Sequence, residues 1–155
     1  MKTNSNKLNS KIINLFMNNS VALTIIGAVI QNNSVKEYIY FKEDQKKIGE
    51  YFEKIKKDKE FNDKFPRFLD KVVLDSCYYS SSIQRGLDLF IEKDLIGRDM
   101  APGRYWVNKK KINSLYHLMS KDKKEIINEI AKRFNFDLVE KRNGSYFTPN
   151  FSNLF

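Results

Sequence analysis

The sequence predicts an α+β fold, mainly helical, and three observations carry the prediction. Apolar residues recur at three- and four-residue spacing through most of the chain. The β-favouring runs before residue 120 are short, Tyr38-Ile39-Tyr40-Phe41 and Arg104-Tyr105-Trp106-Val107. Only six Gly and three Pro interrupt 155 residues, of which 41% are hydrophobic and 14% aromatic, enough for a packed core and too many for a disordered chain. That length suits one domain, here taken as 10–119, with an appendage over 120–155.

Each element follows from its own pattern. Residues 1–9 are polar and Asn-rich, lack the apolar stretch of a secretion signal, and are expected to form a flexible arm. Ser10 can cap a short helix carrying Ile12, Ile13, Leu15 and Phe16. Val21 to Ile30 is the strongest apolar run, half of what a bilayer-spanning helix needs, so it reads as a buried helix capped by Ser20. Tyr38 to Phe41 is a candidate strand. Ile48, Tyr51, Phe52 and Ile55 give an amphipathic helix over about 43–57, whose charges of mixed sign suit a solvated face. Pro66 suits the first turn of a helix with the stripe Phe68, Leu69, Val72, Val73 and Cys77. After a break at Tyr78-Tyr79-Ser80, serines 80 to 82 can cap a helix with Ile83, Leu87, Phe90 and Ile91 on one side. Ile96 to Arg98 and Arg104 to Val107, joined by Asp99-Met100-Ala101-Pro102-Gly103, make a hairpin. A helical turn or two follows through Ile112, Leu115, Tyr116 and Met119. Asp122 and Glu125, spaced as a capping box, open a helix through Ile126, Ile127, Ile130 and Phe134, and Arg142-Asn143-Gly144 turns a second hairpin.

The formal charge is +9, and a basic chain points first to an acidic polymer, because Lys and Arg neutralise phosphates. Much of that charge is uninformative. Lys outnumbers Arg 22 to 6 and Asn and Ile are frequent, which AT-rich codons supply whatever the function. Location says more than the sum: Arg98, Arg104, Lys109, Lys110 and Lys111 face Asp99 alone, a net +4 in fourteen residues, whereas 72–97 is net negative.

Helix, short strand, two helices, a tight break before a third, and a basic hairpin form an order that resembles a winged helix-turn-helix. The resemblance rests on residues 66–108, where SSSIQRGLDLFIEKDLIGRDMAPGRYWVN is similar to that family's serine-capped recognition helix, strand entry and wing return. The end of the hairpin, Tyr105-Trp106-Val107-Asn108, also resembles the wing of firmicute plasmid replication proteins, from whose simplest pattern the charged helix 43–57 departs. The resemblance implies duplex DNA binding, with the third helix in the major groove and the wing on backbone or minor groove. With Ile83, Leu87, Phe90, Ile91 and Leu95 on the core stripe, Ser81, Ser82, Gln84, Arg85 and Asp88 are left to face DNA. Gln suits adenine, Arg guanine, and Ser a phosphate or either base edge; Asp88 fits only by accepting from cytosine or orienting Arg85. Arg98, Arg104 and Lys109 to Lys111 would surround the wing and meet phosphates. A polar helix face and a basic hairpin are equally what a solvated surface presents, and of Tyr105 and Trp106 at least one should be core, since strand neighbours point to opposite faces.

The expected role is a cytoplasmic, non-enzymatic, sequence-specific duplex DNA binder, a transcriptional regulator or a plasmid or phage replication initiator, without cofactor or membrane, and with a homodimer left open. The alternative is a protein-interaction adaptor that docks a partner through Phe151, Leu154 and Phe155. A second unit, AKRFNFDLVEKRNGSYFTPN, echoes the first hairpin, but one helix before it is too few for a second domain; it reads as a sheet extension or dimer contact. Catalytic alternatives lack their parts. His117 is the one histidine, so the paired histidines of a rolling-circle tyrosine nucleophile, a Cys/His zinc cage and a supported Cys77–His117 pair are all missing from the sequence. No phosphate-binding glycine loop is present, and Asp44-Gln45-Lys46 is an isolated fragment of a metal-nuclease pattern.

Overall fold

A computed structural model describes residues 2–31, 38–41, 45–70, 81–98 and 105–133, with side chains over 10–31, 49–70, 81–97 and 105–133. The chain is mainly helical with a small antiparallel sheet. Its centre is α2 (Ser20–Gln31), in which every residue from Val21 to Val29 is buried. A helix apolar all round needs cover all round, and α1 (Lys2–Met17), α5 (Ser81–Glu92), α6 (Lys109–His117) and α7 (Lys121–Arg133) supply it. α1 meets α2 at 92° across Asn18-Asn19. α7 runs beside α2 in the same direction: Ser120 N–H lies 3.4 Å from Met17 Sδ at the start of both, and Gln31 Nε2 donates to the Ala131 carbonyl at the end. Gly27 allows this approach, since a Cβ there would sit 3.0 Å from Ile130 Cγ2.

Three strands form the sheet: β1 (Tyr38–Phe41), β2 (Ile96–Arg98) and β3 (Tyr105–Asn108), in the order β1-β3-β2 and antiparallel throughout. Ile39, Val107 and Ile96 are in register, as are Tyr40, Trp106 and Gly97. Val107 and Ile96 are buried on the helix side. Trp106 is therefore on the other face, where its indole lies across Gly97; a Cβ on Gly97 would meet the ring at 2.0 Å. Tyr105 packs against the core from the Val107 side. The two aromatics divide between the faces as strand alternation requires.

α5 is fixed at both ends. Ile83, Gly86, Leu87 and Phe90 are buried, Phe90 meets Phe16 edge-on at 4.8 Å, and Gly86 presses on Val21, whose Cγ1 would be 2.5 Å from an added Cβ. At the other end, Asp94 N–H donates to Ile91 O and Leu95 N–H to Phe90 O, with Asp94 at φ 57°. This is a Schellman motif with Asp in the left-handed position glycine usually takes, and its apolar contact is the buried pair Phe90 and Leu95. It turns the chain straight into β2.

α3 (Gln45–Lys57) buries Tyr51, Phe52 and Ile55, and Asn62 closes its end by donating to Ile55 O at 2.7 Å. A short helix absent from the sequence reading, α4 (Lys59–Lys64), starts there because Asp58 accepts from Phe61 N–H at 2.8 Å. α7 is strapped to this corner. Arg133 reaches Glu60 and Glu129 at 2.9 Å and Asp58 at 3.5 Å, and Lys64 reaches Glu125 and Glu129. The bonds to Glu60 and then Glu129 raise the Arg133 pKa, and the Arg133 bond holds Glu129 below the ordinary carboxylate value.

Four expectations need correction. Residues 2–9, expected as an arm, belong to α1, because no Gly or Pro separates them from the apolar turn that follows. The helix expected from Pro66 is a pair of tight turns over 66–70, with Phe68 N–H bonded to Phe65 O and Asp70 N–H to Arg67 O. Proline disfavours helical backbone at Phe65, Phe68 packs on Phe61 at 5.4 Å, and Ser20 Oγ donates to Phe68 O, pinning the turn to α2. Ser20 is thus not the cap of α2; Asn19 is, accepting from Ala22 N–H at 3.0 Å. Finally, α7 opens at Lys121, so Ser120 rather than Asp122 holds the cap position, Asp122 bonds to Ser120, and Glu125 pairs with Lys64 instead of closing a capping box. The continuation of the Pro66 helix, Cys77, the turn 99–103, Arg104, the second hairpin, Phe151, Leu154 and Phe155 lie outside the described residues.

Candidate nucleic-acid interface

With one face of α5 turned to α2, its other face is set by the helical repeat. Ser81 and Arg85 are exposed, and Ser82, Gln84 and Asp88 half-buried, all on the side away from Ile83, Leu87 and Phe90. Asp88 is not used to orient Arg85. Gln84 Nε2 donates to Asp88 Oδ1 at 2.7 Å, one turn along the helix, which fixes the plane of the Gln84 amide with one of its two hydrogens.

Beside this end of α5 lies a groove of about 920 Å³. It is lined by Ser82 and Arg85 of α5, Asn19 and Ser20 at the α1–α2 elbow, Lys64, Arg67 and Asp70, Lys123 of α7, and between them the apolar side chains of Met17, Val21, Leu23, Phe65, Pro66, Phe68 and Ile126. Four cations thus face one carboxylate, and Lys64 shares its charge with Glu125 and Glu129. The α2, α5 and α7 N-termini all open towards it, each with no acidic first-turn residue except Asp122 of α7. Helix N-termini carry partial positive charge, so they reinforce the cations. Sequence reasoning missed Arg67 and Lys123. Nothing in the spacing of 67, 85 and 123 links them; the turn at Pro66 and the packing of α7 on α2 do.

The basic segment 98–111 divides. Arg98 ends β2 opposite Tyr105, the hairpin end nearest the expected turn. Lys109 to Lys111 are at the other end: Asn108, 5% exposed, caps α6 by accepting from Lys111 N–H at 3.0 Å, so the three lysines form the first turn of that helix. Asn108 N–H bonds Leu95 O, and Lys110 and Lys111 line a second groove with Lys93 and Leu95. They sit at the C-terminal end of α5, about 16 Å along the helix from Ser82.

His117 is exposed at the end of α6 with its ring edge-on to Tyr116 at 5.3 Å. Among the described residues no three His, Cys, Asp or Glu side chains gather as a metal site would need, and no helix is long and apolar enough to cross a membrane. Comparison with protein-family models, with curated proteins and with solved structures finds no match.

Proposed function

We propose that the chain is a winged helix-turn-helix protein that binds duplex DNA sequence-specifically, as a transcriptional regulator or replication initiator. One observation carries the reading. The run α2-β1-α3-α4-α5-β2-β3, with sheet order β1-β3-β2, puts a helix with a polar outer face immediately before an antiparallel hairpin, the order in which winged helices place recognition helix and wing. Residues 66–70, the expected start of the motif's second helix, form turns, residues 71–80 lie outside the described residues, and in the described residues α2 and α3 brace α5.

On this reading the first two turns of α5 enter the major groove. Arg85 reads guanine, and Gln84, its amide plane held by Asp88, reads adenine. Ser81 and Ser82 meet phosphates at the helix start. The groove beside them takes the flanking strand, with Arg67 and Lys123 as phosphate ligands, while Arg98 and Arg104 serve the wing. Selection of bound sites from a random duplex pool tests this. A consensus whose strongest positions relax in Gln84→Ala and Arg85→Ala is expected; a pool that stays random under selection at moderate salt contradicts sequence-specific reading.

A further inference from the structure

The groove at the opposite end of α5 has a different composition. Its floor is apolar, made by Ile12 and Ile13 of α1, Leu95 beyond α5, and Leu115 and Leu118 at the end of α6, in a volume of about 560 Å³. Leu118 is 64% exposed and Leu15, three residues on from Ile12 and so its neighbour on the α1 surface, is 54% exposed; they are the exposed large hydrophobics among the described residues. Isolated exposed leucines are ordinary, but one that lines an apolar groove, as Leu118 does, marks a surface that gains by being covered.

The rim is cationic. Lys93, Lys110 and Lys111 line it, and no Asp or Glu does among the described residues. Two of these lysines stand in the first turn of α6 with Lys109 and no acidic residue, where the helix dipole already places positive charge. That placement is unfavourable for the free helix and is relieved by a negative partner.

We infer that this groove docks an acidic amphipathic helix of a protein partner, its leucine-like side chains on Leu115 and Leu118 and its carboxylates on Lys93, Lys110 and Lys111. Charge complementarity selects the acidic partner, and the apolar floor selects a peptide over nucleic acid, because a phosphate backbone would use the lysines and leave the leucines wet. The surface is separate from the DNA-reading end of α5 and stands without it.

The test uses the full chain and a fluorescein-labelled helical peptide with Leu at i, i+3, i+4 and i+7 and Glu elsewhere, read by anisotropy. Two controls replace its Leu by Ser or its Glu by Lys. The acidic Leu peptide is expected to bind at least about tenfold tighter than either control, since either half of the match is lost in each. Leu118→Ser, at a position exposed enough not to disturb folding, should weaken it about tenfold. Lys110→Glu with Lys111→Glu should lose the acidic peptide and gain the lysine one. Equal binding of all three peptides, or no effect of Leu118→Ser, overturns the proposal. So does a Lys110→Ala, Lys111→Ala variant that keeps its peptide affinity while losing duplex DNA, which would give those lysines to nucleic acid.

Discussion

The two ends of α5 carry charge of the same sign over different floors. At the N-terminal end, Lys64, Arg67, Arg85 and Lys123 surround a mixed lining of Asn19, Ser20 and Ser82 with Val21, Phe65, Phe68 and Ile126. At the C-terminal end, Lys93, Lys110 and Lys111 surround Ile12, Ile13, Leu115 and Leu118. A mixed floor beneath arginines, polar at Asn19, Ser20 and Ser82 and apolar at Phe65 and Phe68, offers forked donors to the paired acceptors of phosphates and base edges. An apolar floor beneath lysines suits a partner that brings methyl groups along with its carboxylates. Net charge cannot separate the two, and neither can the density of charge along the sequence: the densest basic block, 98–111, splits between the hairpin and the leucine groove.

The largest expected effect removes both ends together. Phe90 is fully buried, meets Phe16, and anchors the Schellman turn, so Phe90→Ala should destabilise the fold by about 3–5 kcal/mol in urea titration, with DNA and peptide binding lost in parallel. Gly86→Leu strikes the N-terminal half alone. Its side chain would drive into Val21, and overpacking of this kind takes about 1–3 kcal/mol, displacing α5 from the α1–α2 elbow. Duplex affinity should then fall more than peptide affinity in protein that remains folded.

Arg85→Ala sharpens the contrast without touching the core. Loss of a bidentate base contact should remove about 1–3 kcal/mol of discrimination between matched and mismatched duplex and leave the peptide isotherm unchanged.

Acid should act on the α7 strap, which holds Lys123 in the N-terminal groove. Glu129 has a folded pKa below its ordinary 4.5 because Arg133 donates to it, so its contribution is present above that value and is lost as the pH falls through the lowered one. The urea midpoint should drop below about pH 4.5, and Arg133→Met should shrink that acid-dependent part.

The smallest effect is at the other terminus of α5. Asp94→Gly relieves a left-handed side chain and should stabilise by about 0.5 kcal/mol, measured by thermal melting.

Much of the scaffold was legible from periodicity. The buried α2, α3 and the stripe Ile83, Leu87, Phe90 and Leu95 follow from local apolar patterning, and β1 at Tyr38–Phe41 from its β-favouring run. The helix starts were less legible, because Asn19 competed with Ser20, and Ser120 with Asp122, over one or two residues where several side chains can cap. α4 depends on Asp58, a single cap within a charged run. The site was half legible. The outward face of α5 follows from its inward one, but Arg67 and Lys123 join Arg85 only through the Pro66 turn and the packing of α7 along α2, and Lys109 to Lys111 leave the hairpin only because Asn108 caps a helix there. Those are tertiary facts that charge spacing does not contain.

Duplex DNA is proposed to meet the N-terminal end of α5 and not the lysine block. The most direct measurement is the salt dependence of duplex affinity for the unmodified chain, for Arg67→Ala with Lys123→Ala, and for Lys110→Ala with Lys111→Ala. Each phosphate contact contributes a slope of about −0.9 in log affinity against log salt, so the first pair should flatten the slope by about 2 and the second should leave it unchanged. A slope flattened by the second pair alone, or no duplex affinity at low salt, would contradict the account.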